Sequence, residues 1–487
     1  MARDLMGGEL TEVLVEFHPH GSLATTHESQ GSDMGLFGGL LGWEATDDRL
    51  VESAQALASE GITAEIRITD FPAFHPNTYR LTLRNRFVEH RMTALSTGGG
   101  MVRVVEVDNL PVAMEGDYHE TLLFLEPEGM DLPEAVSELN PEEACLHSSE
   151  DSQVLQIKTL EPISEEARAR FEAMSGVREL RTLAPALPVL SRREMNVPFL
   201  TAEELLTFNQ TRALELWELA VEYESARGGI SGEEVVERMK EIVGIMAGSV
   251  EEGLAGTEHA DRILGAQSPT FKDRMEAAAL LDGGVLNRMI LYVTAIMETK
   301  SSMGVIVAAP TAGSCGAVPG AVLGAAHETH ASLESMTRAL LAAGIIGVFI
   351  AARSTFAAEV CGCQAECGAG SGMAAAALVS LAGGSTERAL GAASMALQNT
   401  LGMICDPVAN RVEVPCLGRN VLAASNALAC ANMALAGFDP VIPLDEVIQT
   451  MDEVGKSLPH ELRCTALGGL SVTPTSVEIQ ERLGKDA

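Results

Sequence analysis

From Thr201 to Leu483 the chain reads as one helix after another, dense in Ala and Gly and poor in alternating strand patterns. A stretch of this kind buries its apolar faces by packing helix on helix, so it points to a large all-α domain. Thr201, with Glu204 three positions on and the run LLTFNQTRALELWELAV behind it, gives a capping-box start. The most apolar run, Ala339 to Ala352 (ALLAAGIIGVFIAA), is about 14 residues, short of a bilayer span, and reads as a buried helix. Aromatics supply only 4% of the chain and there are 46 glycines. The core must therefore come from Ala, Leu, Val and Met, with backbones drawn close at glycine.

Two smaller regions precede this one. Between Thr11 and Val107, EVLVEFH alternates like a half-buried strand, DRLVESAQALASEG has helical spacing, and TAEIRIT and YRLTLRN alternate again. From Gly116 to Pro188, TLLFLE, LPEAVSEL, SQVLQIKTLE, SEEARARFEAM and VRELRTLAP read as strand, helix, strand, helix, strand, with an extra strand at Ala144 to His147. That order suggests a ferredoxin-like module and resembles the ACT-type domains that bind amino acids beside metabolic enzymes. The expected class is α+β and multi-domain, with boundaries at 1–112, 113–190 and 201–487.

The 68 acidic residues outnumber 33 basic ones, a net charge of −35 that repels nucleic acid and anionic membrane. Only six of the basic residues are Lys. Met1 to Glu16 lacks the basic and apolar regions of a secretory signal. Nine cysteines at irregular spacing then suggest reduced thiols in a cytoplasm.

Three of those thiols crowd into CGCQAECG, Cys361 to Gly368. Zinc ribbons need paired C-x2-C knuckles and thioredoxin chemistry needs C-x-x-C; neither occurs here. Free Cys is also a common small core residue. Spacing alone leaves ligands and packing residues undistinguished.

The helical region resembles the catalytic α domain of the iron–sulfur-dependent L-serine dehydratases. The resemblance is carried by SSMGVIVAAPTAGSCGAVPG (Ser301 to Gly320), GCQAECG (Gly362 to Gly368), LGMICDPVANRVEVPCLGRN (Leu401 to Asn420) and ELRCTALGGLSVTPT (Glu461 to Thr475). It implies a [4Fe–4S] cluster on Cys363, Cys405 and Cys416. Three thiolates leave one iron open as a Lewis acid, where four would suit electron transfer. Cys361 and Cys367 are then packing residues, and Cys315, Cys430 and Cys464 structural ones. The implied reaction takes L-serine to pyruvate and ammonia, without pyridoxal phosphate, in a homodimer. Candidates for substrate binding are Thr311, Gly313 and Ser314 in APTAGSCG, Arg419 and Asn420 after a cluster ligand, and Asn399.

The N-terminal region resembles the same family's β domain, itself similar to the allosteric substrate-binding domain of some phosphoglycerate dehydrogenases. The matching stretches are HGSLATTHESQGSDMGLFGGLLGWEATDDRL (His20 to Leu50), FHPNTYRLTL and STGGG. Three departures stand out. The sequence begins beyond the family's Ser-Ser-Ser-His-Thr motif, Gln30 replaces the histidine of a Gly-His-Gly-Thr-Asp motif, and no C-terminal cysteine follows to cap the open iron. The proton-handling group is thereby left open, with His27 and His75 as candidates. Gly98 to Gly100 suggest a close backbone approach or tight turn. The departures keep two alternatives in view: a paralogue acting on another β-substituted amino acid such as cysteine, and a catalytically weakened amino-acid sensor.

Overall fold

The computed structural model describes residues 1–98, 100–126, 133–149, 152–186 and 196–483. They cluster into two compact units, Met1–Ala24 with Asp33–Thr97 and Met101–Asn196, and Thr25–Ser32 with Gly98–Gly100 and Val197–Ala487. The chain is α+β, as expected, with two sheets in the first unit and a helical second unit.

In the first unit β1 (Glu12–Phe17) buries Val13, Val15 and Phe17, the alternation legible in EVLVEFH. It pairs in parallel with β2 (Thr63–Ile68), reached through helices Ser32–Leu41 and Ser53–Ser59, and antiparallel with β3 (Thr78–Arg84). Next come β4 (Glu89–Gly98), β5 (Met101–Val107) and β6 (Leu110–Met114), giving the order β2-β1-β3-β4-β5-β6.

The second sheet holds β7 (His119–Leu125), β8 (Glu143–Ser148), β9 (Gln153–Thr159) and β10 (Val177–Leu183) in the order β10-β7-β9-β8, all antiparallel. Helices Pro133–Ser137 and Glu165–Glu172 complete a βαββαβ sequence. The extra strand expected near residue 145 is β8, at the sheet edge. Both faces of β7 are covered: Leu122 and Phe124 join the core of the first sheet, while Leu123 and Leu125 pack with Phe171 of the second helix. This double burial explains why TLLFLE is a continuous apolar run.

One polar group is buried among these strands. His90 on β4 places Nδ1 2.7 Å from Asp108 Oδ2 and Nε2 3.3 Å from Glu179 Oε1 on β10. Burial alone pulls its pKa down, but the hydrogen bonds to both carboxylates outweigh that and raise it to about 9.

The second unit is helical among the described residues, apart from a lone bridge between Cys405 and Arg463. Thr201 caps helix Ala202–Asn209 by accepting the Glu204 N–H at 3.1 Å. The helical run expected beyond it is broken, because the Asn209 amide binds both polar groups of Leu214 at 2.9 Å and Leu216–Gly228 starts afresh. Helices Val285–Ser301, Ala317–Thr329, Leu333–Arg353, Ala369–Leu381, Thr386–Gln398 and Cys416–Leu435 contribute to the main core, which is rich in alanine. The run read as a short apolar segment is longer than expected. Leu333–Arg353 has 21 residues, enough by length and composition to cross a bilayer, yet 61% of its most apolar window is buried inside the protein. Its Leu340, Ile346 and Phe349 belong to the helical core.

Candidate active site

Three separate segments bring thiols together in the helical unit. Cys363 precedes a π-type turn, Gln364–Gly368, that feeds helix Ala369–Leu381. Gln364 fixes this turn, donating to Met451 O at 2.6 Å and accepting from Gly402 N at 2.8 Å. Cys405 lies in extended backbone whose N–H donates to Leu462 O and whose C=O accepts from Cys464 N, both at 2.8 Å. Cys416 opens helix Cys416–Leu435, at the positive end of its dipole. The three are 2%, 3% and 4% exposed.

Interactions with Cys367 and Cys405, with the nearby Arg419 charge, hold the Cys363 thiol well below the usual range against the cost of burial. Cys405 is raised by its bonds to Cys363 and Cys464 and by burial. Cys416 is raised by burial and then by the charge on Cys363. Cys367 and Cys464 thus lie inside the thiol group. Cys361 instead turns toward Asp452, Cys315 toward Met297 and Cys430 toward Asn426. Among the described residues no three His, Cys, Asp or Glu side chains close in on one point tightly enough for a single metal ion.

Beside the thiols, Thr311 and Ser314 close a reciprocal box. Each hydroxyl oxygen accepts the other's backbone N–H, at 3.2 Å and 3.3 Å. The Thr311 hydroxyl donates to Glu366 Oε1 at 2.7 Å. A Cβ on Gly313 would come 2.7 Å from that same oxygen, so glycine is what lets the carboxyl lie against the turn. Burial, then the charge on Cys363, lifts Glu366 to about 8. Arg419 donates to Asp406 Oδ1 at 2.6 Å through Nη2, while its buried Nη1 has no partner. The second Asp406 oxygen accepts Leu470 N at 2.8 Å.

Asn420, expected at the substrate, is fully engaged within the protein. Its Nδ2 donates to Gly313 O and Cys416 O at 2.9 Å, and its Oδ1 accepts Gly316 N at 3.1 Å and Ala317 N at 3.0 Å. Both donors and both lone pairs are spent tying the 311–317 turn to the Cys416 helix. Asn399 is engaged within the helical core: its amide donates to Asn426 Oδ1 at 2.8 Å and to Cys430 Sγ at 3.4 Å, and Asn426 lies about 15 Å along the helix from Cys416 at the α-helical rise.

His27 belongs to the helical unit, in the segment Thr25–Ser32. Ser29 anchors that segment by donating to Asn410 O at 2.7 Å, on the loop between Cys405 and Cys416. His75 lies in the sheet unit, and its Nδ1 accepts Asn77 N–H at 3.2 Å. Burial lowers its pKa, and in the neutral ring that acceptor role leaves the proton on Nε2. Gly98, itself part of the helical unit, has φ +92°, and a Cβ there would lie 2.8 Å from Ala357 N.

Reasoning from sequence missed Glu366, Asp406 and Lys300. Glu366 stood in the cysteine octet and Asp406 directly after Cys405. Lys300, one of only six lysines, ends a largely apolar helical run (LYVTAIMETK).

Residues 211–471 match the family model described as "Serine dehydratase alpha chain". A "Probable L-serine dehydratase, alpha chain" from Bacillus subtilis is 35% identical over 285 residues, 58% of this chain and 95% of that protein. An "L-serine dehydratase, alpha chain" from Peptoniphilus asaccharolyticus is 35% identical over 288 residues, covering 59% and 98%. "L-serine dehydratase 1" of Escherichia coli is 32% identical over 282 residues, covering 56% and 62%. Cys363, Cys405 and Cys416 all fall within the matched span.

Proposed function

The chain belongs to the serine dehydratase alpha-chain family, and from that premise we propose that it eliminates water from L-serine, the products being pyruvate and ammonia. The observation that carries the reading is the gathering of Cys363, Cys405 and Cys416, buried and from three separate segments, beside Arg419 with an unpartnered Nη1. Buried thiolates need nearby positive charge, so these residues fit a [4Fe–4S] cluster, whose thiolates sit on separate irons and need not meet at one point. Cys363, Cys405 and Cys416 would hold it. When bound, such a cluster supplies an open iron as a Lewis acid for the departing β-hydroxyl. No pyridoxal phosphate takes part.

The chain's own groups must orient serine and move a proton. Arg419 Nη1 is placed to donate to a carboxylate, with Asp406 fixing the guanidinium through Nη2. Thr311, Gly313 and Ser314 shape the turn that receives the substrate, and Asn420 holds that turn against the Cys416 helix. His27 is the better of the two candidate bases: Ser29 ties its segment to the 405–416 loop, whereas neutral His75 already carries its proton on Nε2. Loss of the α proton and of hydroxide leaves aminoacrylate, which tautomerises to the imine and hydrolyses in water.

The finer domain labels follow the same reading. The βαββαβ module is taken as ACT-like, the six-stranded sheet as allosteric-substrate-binding-like, and the protein as a cytoplasmic homodimer acting on a small amino acid, with no nucleic-acid or membrane partner. The test is anaerobic purification followed by assay. A brown protein releasing pyruvate from L-serine, and losing that activity in air, is expected; a colourless protein that binds serine without turnover would replace the enzyme with a sensor.

A further inference from the structure

We infer that Lys300 is a further substrate-binding residue of this site, its side-chain nitrogen receiving the carboxylate of the amino acid; the inference rests on reading the chain as a serine dehydratase. Lys300 occupies the last turn of helix Val285–Ser301 and is 6% exposed. The groups whose charges reach it are, in falling order, Cys315, Cys416, Glu413 and Glu366. Cys416 is a proposed cluster ligand, Cys315 follows the Thr311–Ser314 turn, and Glu366 bonds Thr311. Met297, one turn before Lys300 on the same helix, accepts from Cys315 Sγ at 3.7 Å, so Lys300 lies on the helix face turned to the Thr311–Cys315 segment.

No hydrogen bond or ion pair reaches Lys300 Nζ from the described residues, and the acids around it are already engaged. Glu413 accepts the N–H groups of Ile263 and Leu264 at 2.8 Å and 2.9 Å and pairs with Arg262 at 3.5 Å. Glu298, two residues earlier, accepts from Ser268 Oγ at 2.6 Å and from the Gln267 and Ser268 N–H groups. Glu366 takes the Thr311 hydroxyl and Asp406 takes Arg419. A buried ammonium without a counter-ion is costly, and a methionine would fill the same space without that cost. An arriving anion removes the penalty. L-serine carries one anionic group, and the unpartnered Arg419 Nη1 is a second donor in the same thiol site.

The competing assignment is that Lys300 offsets the thiolate charge of the cluster. Lys300→Met and Lys300→Gln, prepared anaerobically with iron loaded, separate the two. We expect wild-type iron content and visible absorption, a KM for L-serine raised by about tenfold or more, and kcat changed by less than about threefold. Calorimetric titration with pyruvate should show the same loss of affinity, and cluster-free Lys300→Met should melt no lower than cluster-free wild type. Unchanged KM and unchanged pyruvate affinity would overturn the inference, as would loss of iron with KM intact. So would a fall in melting temperature for both variants without a change in KM. If the wild-type chain holds iron but releases no pyruvate from serine, the functional reading fails by itself; the pyruvate titration then decides the Lys300 assignment alone.

Discussion

Cys363, Cys405 and Cys361 are all buried thiols on neighbouring segments, and their surroundings separate them. Cys363 interacts with Cys405 near Arg419, whereas Cys361 faces Asp452, and burial, then the Asp452 charge, push it up to about 11. Cys405→Ala should therefore remove both iron and turnover, while Cys361→Ala keeps both; iron determination and pyruvate assay on the two variants check this, and equal effects would refute the ligand assignment. Spacing alone did not reveal this difference, because the partners that separate the thiols lie tens of residues away in sequence. Resemblance to a family is what proposes the ligands, and the charge environment appears only with the fold. Lys300 shows the limit most clearly: a lysine closing a helix is ordinarily a favourable solvated end, and only tertiary burial turns it into an unpaired charge. Asn399 precedes the cysteine stretch in sequence, and the fold commits its amide to Asn426 and Cys430.

The elements around the site are held by polar ties as much as by apolar packing. Asn420 joins the 311–317 turn to helix Cys416–Leu435 through four backbone partners. Asn420→Ala leaves buried N–H and C=O groups without partners and should destabilise the cluster-free chain by about 2–4 kcal/mol. Urea denaturation measures that loss, and a change below about 0.5 kcal/mol would contradict the tie. Element type was largely legible from the sequence because burial period differs between the regions: alternation in EVLVEFH marked β1, and helical spacing after Thr201 marked the helical unit. Extents were less legible. Asn209 breaks the first long helix through its own side chain, and Leu333–Arg353 runs past the apolar core of its sequence at both ends, where polar residues continue a helix that packing has already fixed.

The chain combines a helical unit carrying the chemistry with a sheet unit that has its own titrating group. His90 is flanked by Asp108 and Glu179, with Arg181 paired to Glu179 and Phe124 against the ring. Its folded pKa of about 9 lies above the unfolded value near 6.5, so the protonated ring stabilises the fold fully below about pH 6.5. That contribution fades as pH rises through about 9 and amounts to roughly 3 kcal/mol. Melting of the sheet unit should fall over this window in wild type and flatten in His90→Gln; identical pH profiles would exclude the role. For the helical unit, the proposed open iron is tested most directly by Mössbauer spectroscopy of oxygen-protected, 57Fe-loaded protein with and without L-serine. About one iron in four should change its signature when serine is added while the others stay as they were. Four alike, sulfur-bound irons indifferent to serine, or no cluster at all, would contradict it.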